Sequence, residues 1–189
     1  MRSEELDNLY RTFSRYAWRL EARDVYGVQA ENERLQAFLE GRELPRSSSK
    51  DAWSSMTAAA ASAGRPFARV RMVSRPVTDY TRWEFSVYPE NIDAGEEVRV
   101  LDRAWLNDDD PLWDTDFWLF DDDTAVVQNY AANGKYLGPS RVEDVRPYVE
   151  LRTRALQLSV PFDEFTLLPE PRRGEQAVRN QQEAASRVD

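Results

Sequence analysis

The 189-residue sequence contains neither cysteine nor histidine. Without cysteine, the chain has no disulfide, no thiolate metal site and no cysteine nucleophile. Without histidine, it lacks the usual general base near neutral pH, the commonest transition-metal ligand and the histidine of a serine triad. Any catalysis would therefore depend on carboxylates, tyrosine, lysine or serine.

Long hydrophobic runs are also missing. No window approaches the roughly 18 to 20 apolar residues that a membrane helix needs, and the N-terminal segment MRSEELDNLYRTF is acidic and amphipathic, unlike a signal peptide. We therefore expect a cytoplasmic protein without membrane contact. The length favours one globular domain over residues 1–168, followed by a disordered polar tail at 169–189, where large apolar residues are almost absent.

Negative charge is concentrated in one segment of the chain. The net charge of −9 arises in residues 84–123, which hold 14 acidic and 2 basic side chains. Such a segment repels phosphate backbones, which argues against direct binding of DNA or RNA through it. It is typical either of a solvated surface or of a surface that binds a basic partner.

Helical periodicity appears in several segments. Apolar residues recur every three or four positions over residues 5–20, which predicts an N-terminal helix. Further helices are predicted over residues 29–40, from Asp51 as N-cap through the alanine run to Gly64, and from 143 or 147 to 158. Residues 79–88 fit a helix or a strand, and we prefer the helix.

Alternating patterns predict the strands. Residues 67–74 alternate between arginines and apolar side chains, and residues 97–102 alternate in the same way, although 94–103 also resembles a helix capping box. The apolar runs 117–120 and 124–130 are separated by three aspartates, which indicates a hairpin. The expected fold is mixed α+β, with N-terminal helices packed on a small central mixed β-sheet and a C-terminal helix.

Four short phrases carry a family resemblance: WRLE at 18–21, YTRWE at 80–84, AGE at 94–96 and DFWLFD at 116–121. Together they resemble a family of actinobacterial proteins, a domain of unknown function often encoded near helix-turn-helix regulators. The resemblance covers roughly residues 9–165. It brings no established activity and implies a regulatory setting.

The order of elements is similar to half of a phospholipase-D-like domain. That resemblance implies a catalytic histidine, with a lysine two positions later, just before the hairpin. This chain instead has Asp114-Thr115-Asp116, and two acids there would repel a phosphate. The resemblance therefore implies a scaffold without that chemistry, which serves as a sensor or docking domain.

An arginine-rich region precedes the acidic segment. Arg69, Arg71, Arg75 and Arg82 lie near Tyr80 and Glu84, and guanidinium groups beside a tyrosine suit a carboxylate or phosphate ligand. The candidate ligand-binding residues are Arg71, Tyr80, Arg82 and Glu84. In the alternative, which the abundance of acids favours, these arginines pair internally with Glu96, Glu97 or Asp102.

Aromatic residues accompany the aspartates of the acidic segment. Asp108, Asp109 and Asp110 with Trp105 and Trp113 are the candidate partner-binding residues, because rings supply contact area and aspartates supply orientation. The alternative for the tryptophans is burial in the core. The carboxylate spacing matches no EF-hand, since the required glycine and distal glutamate are missing.

We therefore predict a non-enzymatic regulatory or adaptor protein that binds a basic protein, such as a helix-turn-helix regulator, through its acidic surface. The alternative is a binding or enzymatic domain for an anionic small molecule, in which Arg71, Tyr80, Arg82 and Glu84 form the site. We predict no catalytic residue, cofactor or metal. The oligomeric state, the ligand and the partner stay open.

Overall fold

The computed structural model describes residues 1–27 and 31–167, and a seven-stranded mixed sheet lies at the centre of this part of the chain. The strands are β1 (Ala17–Glu21), β2 (Phe67–Val73), β3 (Glu97–Asp102), β4 (Phe117–Phe120), β5 (Thr124–Tyr130), β6 (Tyr136–Arg141) and β7 (Val160–Pro161). The α-helices in the described ranges are α1 (Ser3–Thr12), α2 (Asn32–Leu39), α3 (Ser48–Ser62), α4 (Asp79–Asp93), α5 (Arg146–Leu158) and α6 (Phe162–Leu167).

The strand order is β6-β5-β4-β1-β2-β3-β7. Strands β1, β2 and β3 are parallel neighbours, and helices connect them: α2 and α3 between β1 and β2, and α4 between β2 and β3. The remaining pairings are antiparallel. Strand β1 therefore lies in the middle of the sheet, with β2 on one side and β4 on the other.

One face of the sheet packs against α5 through an apolar layer. Alternate residues of the central strands, among them Leu20, Met72 and Leu119, form one cluster with Leu151 and Ala155 of α5. Burying this layer is the dominant favourable contribution to folding, at about 25 cal/mol per Å² of apolar surface. This face therefore carries the main core of the domain.

The opposite face, which we call the helical face, is covered by α1, α3 and α4, and α2 packs against α4. Near one end it is apolar, where Phe67 and Trp118 pack with Phe13 and Leu6. In the middle of the sheet it is charged, because Arg19 of β1 is in register with Arg69 of β2 and Glu21 with Arg71. Side chains alternate between the faces of a strand, so all four charged residues lie on the helical face.

Most predicted elements are confirmed. The mixed α+β class, α2, the helix at 79–88, the strands at 67–74 and 97–102, the hairpin and the C-terminal helix are all present. Two expectations about helices are wrong. The first helix ends at Thr12, and the predicted continuation to residue 20 is instead strand β1, while the third helix has its N-cap at Ser47 and not at Asp51.

The sheet is larger than the small sheet expected from the sequence. Strand β6 contains Gly138 and Pro139, which hide it from a pattern search, and its place at the edge of the sheet is where proline is tolerated. The two-residue strand β7 lies at the other edge. None of the helices in the described ranges is long and apolar enough to cross a membrane. The predicted tail at 169–189 lies outside the described residues.

Candidate functional site

A cavity of about 340 Å³ lies between the charged middle of the helical face and the helices α2, α3 and α4. Its volume falls within the range of small-molecule sites. The side chains that line it include Arg19, Glu21 and Arg69 on the sheet, Glu31 and Arg34 at α2, Lys50 and Trp53 on α3, and Tyr80, Trp83, Glu84, Val87, Tyr88 and Asn91 on α4.

The floor of the cavity consists of Arg19, Glu21 and Arg69. Glu21 Oε1 lies 2.9 Å from Arg19 Nη1 and accepts a hydrogen bond of 3.1 Å from Arg69 Nη1. Arg19 also donates to Asp116 at 3.0 Å, and Arg69 donates to Glu96 at 2.7 Å. Each floor arginine is therefore shared between two carboxylates.

Burial and charge oppose each other at Glu21. Burial acts to raise the pKa of the Glu21 carboxyl, but the guanidinium groups of Arg69, Arg19 and Arg71 lower it by a larger amount and hold it at about 2. Tyr88 adds a hydrogen bond of 3.3 Å to Glu21 Oε2. Glu21 is thus ionised at neutral pH, and it compensates the charge of the two arginines beside it.

Arg71 lies beneath the cavity and is fully buried. Its Nη2 is 2.6 Å from Glu84 Oε2, yet none of its guanidinium nitrogens has a partner of hydrogen-bond geometry among the described residues. Burial raises the pKa of Glu84 to about 8, against the attraction of Arg71. Perturbed carboxyl groups in a cavity are typical of functional sites.

Helix α4 supplies one wall of the cavity through a single stripe of side chains. It begins at the N-cap Thr78, whose hydroxyl accepts a hydrogen bond of 3.1 Å from Thr81 N. From there the lining residues recur at steps of three and four, the spacing of one helix face. They are Tyr80, Trp83, Glu84, Val87, Tyr88 and Asn91.

The two ends of this stripe differ in charge. At the acidic end, which we define as Glu31 and Glu84, Tyr80 Oη donates a hydrogen bond of 2.6 Å to Glu31, and burial raises the pKa of Glu31. At the basic end, which we define as Arg34 and Lys50, Lys50 Nζ bonds to Asn91 Oδ1, and burial lowers the pKa of Lys50. Arg34 Nη1 donates a hydrogen bond of 2.6 Å to Pro45 O.

Aromatic rings lie between and around these charges. The ring centroids of Trp53 lie 5.8 Å from Tyr10 and 5.9 Å from Trp118, and those of Tyr80 and Trp83 are 5.2 Å apart. The indole nitrogens of Trp53 and Trp83 are buried and have no hydrogen-bond partner in the described ranges. Buried indole N–H groups usually have a partner, so two donors stay unsatisfied in the walls of this cavity.

The structure brings together three of the four predicted ligand-binding residues. Tyr80 and Glu84 line the cavity, and Arg71 lies directly behind Glu84. Arg82 is exposed and pairs with Asp79 on the outside of α4, so it lies away from the cavity. The predicted internal pairing is confirmed for Arg69 with Glu96 and for Arg75 with Asp102, the latter at 2.6 Å.

Sequence reasoning missed the floor and the basic end. The helix predicted over residues 5–20 includes Arg19 and ends before Glu21, and it leaves unused the alternation of these two residues with Trp18 and Leu20, which predicts a strand. The helix predicted from the N-cap Asp51 excludes Lys50, which belongs to α3. The alternation in WRLE was the available signal.

The predicted partner-binding residues are spread over different environments. Arg154 pairs with Asp108 at 2.5 Å and with Asp110 at 2.8 Å, and its guanidinium lies 5.0 Å from the ring centroid of Trp113. Trp113 is buried, Trp105 is partly buried, and Asp109 is exposed. Binding of a basic partner here stays a prediction, although two of its aspartates already have a partner.

The carboxylates of the acidic segment are dispersed over the fold. Within residues 1–27 and 31–167, no three of the carboxylates that could hold a metal ion lie together. Asp116 is buried under Arg19, Asp102 pairs with Arg75, and Asp121 caps backbone N–H groups. These side chains are accounted for by contacts inside the domain.

Comparison with known proteins places the chain in a family. No curated protein and no solved structure is found to match the chain. The family described as "Domain of unknown function (DUF6879)" matches residues 4–167, which include the whole sheet and every residue of the cavity. The chain therefore belongs to this family of domains of unknown function.

Proposed function

We propose that the domain binds an anionic small molecule with a planar ring in the cavity on the helical face. The observation that carries the proposal is the row of charged side chains in the middle of the sheet, at Arg19, Glu21 and Arg69, which faces a cavity and not an apolar layer. Buried ion pairs are costly to desolvate, and apolar residues of similar volume are often at least as stabilising. Binding of a ligand would explain the presence of these charged residues, which stability alone does not explain.

The chemistry of the lining suggests the ligand class. Trp53, Trp83 and Tyr80 offer ring faces and edges on which a planar group packs. The floor arginines already bond to buried carboxylates, so an anionic group finds its cations at the basic end. There Lys50 has no salt bridge within the described residues, and Arg34 pairs with the exposed Glu90 at 3.8 Å. Such a ligand also suits the sensor role that the phospholipase-D-like resemblance implies.

The first test is a binding screen with a matched pair of variants. Aromatic carboxylates and nucleoside monophosphates are tested by thermal shift and calorimetry on the full chain. Val87→Trp places a large ring in the cavity, whereas Ile92→Trp adds the same ring on the exposed side of the same helix. We expect at least one compound to stabilise the wild type and Ile92→Trp but not Val87→Trp. Binding that survives Val87→Trp, or no binding to the wild type, contradicts the proposal.

A second variant tests the place of the anionic group. Lys50→Gln keeps a polar side chain that can reach Asn91 but removes the charge. A charge-assisted hydrogen bond contributes about 1.5–3 kcal/mol, so affinity should fall by about tenfold or more. Lys135→Gln, on the exposed turn after β5, is the control and should bind as the wild type does. Equal affinity for both variants would show that Lys50 does not hold the anion.

A further inference from the structure

The cavity is polarised along α4, and we propose that its ligand is a zwitterion whose ammonium group binds between Glu31 and Glu84 and whose carboxylate or phosphate binds at Arg34 and Lys50. This inference rests on the proposed function, and it adds a second, positively charged group to the ligand. It also assigns each charged group of the ligand to one end of the cavity.

The polarity follows from positions on one helix. Glu84 and Asn91 lie on the same stripe of α4, seven residues apart, which corresponds to about 10 Å along the axis. The acidic end is joined to the first part of the stripe by the hydrogen bond between Tyr80 and Glu31, at 2.6 Å. The basic end is joined to the last part, since Lys50 bonds to Asn91 and Arg34 lies 3.8 Å from Glu90.

Carboxyl groups outnumber guanidinium groups around the acidic end. Within the described chain, the guanidinium groups of Arg19, Arg69 and Arg71 face four buried carboxyl groups, which are those of Glu21, Glu84, Glu96 and Asp116. Glu31 adds a fifth carboxyl, bonded to the neutral hydroxyl of Tyr80. Burial raises the pKa of both Glu31 and Glu84, so a positive group of the ligand at this end would favour their ionised forms.

An unsatisfied carboxyl oxygen lies at the same end. Glu84 Oε2, at 2.6 Å from Arg71 Nη2, has no hydrogen bond of correct geometry within the described chain. The side chains of Glu84, Tyr80 and Trp83 line the cavity there. An ammonium beside Glu84 favours the ionised form of its carboxyl group and donates to it, and the rings of Tyr80 and Trp83 offer a cation–π contact. The acidic end therefore has both the charge and the aromatic surface that an ammonium requires.

The distance between the ends sets the size of the ligand. A span of about 10 Å with a cavity of about 340 Å³ fits a molecule in which one ring separates the two charged groups. Trp53 and Val87 lie along this middle region. A short amino acid, whose ammonium and carboxylate share one carbon, cannot reach both ends at once.

The experiment uses synthetic probes as molecular rulers. One series carries an ammonium and a carboxylate on opposite sides of a phenyl ring, with alkyl arms of increasing length. For each length, a carboxylate-only and an ammonium-only analogue carries a methyl group in place of the missing charge. Affinities for the full-length protein are measured by calorimetry, together with those of Glu31→Gln and Lys50→Gln.

We expect the best zwitterion to bind about tenfold or more tightly than either single-charge analogue. Glu31→Gln should remove its advantage over the carboxylate-only analogue and leave that analogue unchanged. Lys50→Gln should remove its advantage over the ammonium-only analogue. This crossed pattern assigns one charge to each end.

Two outcomes overturn the inference separately from the proposed function. If aromatic anions bind but added ammonium groups bring no gain at any length, the cavity takes an anion and not a zwitterion. If the ammonium-only analogues bind as tightly as the zwitterions, both proposals are wrong about the charge. Absence of binding for every probe and every anion of the first screen rejects both.

Discussion

The side chain of Asp121 connects two segments that lie far apart in the sequence. It lies in the tight turn between β4 and β5, where Asp121 and Asp122 have φ angles of 57° and 67°, as in the type I′ turns of hairpins. Its carboxylate accepts hydrogen bonds from Ser14 N at 2.6 Å and Arg15 N at 2.7 Å. The side chain thus joins the hairpin to the segment that enters β1.

Replacing Asp121 with alanine should therefore be costly. Asp121→Ala leaves the N–H groups of Ser14 and Arg15 without their acceptor. It also places alanine in the left-handed region, which aspartate tolerates better because its side chain can form a local hydrogen bond. The free energy of unfolding should therefore fall by about 3 kcal/mol. Urea denaturation measures the change. Asp123→Ala, at an exposed position in the same turn, should change stability by less than about 0.5 kcal/mol. Equal losses in the two variants would contradict this role.

At the scale of elements, capping decides where the helices begin. The first turn of α3 contains several candidate caps, and the sequence favoured Asp51. In the structure, Ser47 is the N-cap, and its hydroxyl accepts from Lys50 N at 3.4 Å. This earlier start brings Lys50 onto the helix and into the cavity. The choice of cap therefore positions a residue of the basic end.

The two caps are distinguished by alanine substitutions. Ser47→Ala removes an N-cap and should lower the free energy of unfolding by about 1 kcal/mol. Ser48→Ala, at an exposed position inside the first turn, should be neutral or slightly stabilising, since alanine is the best helix former. Denaturant titration of both variants provides the comparison. A larger loss for Asp51→Ala than for Ser47→Ala would place the helix start where the sequence suggested.

For the whole molecule, the distribution of charge in space differs from that along the chain. The acidic segment 84–123 has 14 acids, and several of them pair with arginines from other parts of the sequence. Arg19 of β1 binds Asp116, Arg69 of β2 binds Glu96, and Arg154 of α5 binds Asp108 and Asp110. Folding therefore neutralises much of the negative charge of the acidic segment.

Stability should depend on pH in a specific way. The pKa of Glu84 is raised by burial to about 8, above the unfolded value of about 4.3, so the folded state holds an extra proton between these values. Its contribution is complete below about pH 4 and is lost as the pH rises through about 8. The pKa of Glu21, held at about 2 against burial by Arg69, Arg19 and Arg71, acts in the opposite sense: its contribution is present above about pH 4 and is lost as the pH falls through about 2.

Urea denaturation at about pH 5, 6.5 and 8.5 checks this prediction. The wild type should lose stability as the pH rises through this range, and Glu84→Gln, which cannot ionise, should show a flatter profile. Glu97→Gln, at an exposed position of β3, is the control and should follow the wild type. An unchanged slope in Glu84→Gln would mean that Glu84 titrates at its ordinary value.

Local patterns in the sequence were sufficient for much of the fold. The helix period at 79–88, the alternation at 67–74 and 97–102, and the three aspartates between two apolar runs each predicted an element that the structure contains. The sequence also indicated part of the site, since Tyr80 and Glu84 line the cavity with Arg71 behind them. These features depend on residues close together in the chain, whose spacing alone expresses them.

The sequence by itself determined the chemistry that is missing, which is that of thiols and imidazoles, together with the class of the fold and most of its elements. Tertiary structure decided the rest, because the apolar residues up to Leu20 continue a helix period while WRLE alternates as in a strand, and pairing with β2 and β4 selects the strand. That pairing brings Arg19 and Glu21 beside Arg69, about 50 residues away. The cavity exists because strands distant in sequence become neighbours in the sheet, a relation that no local pattern encodes.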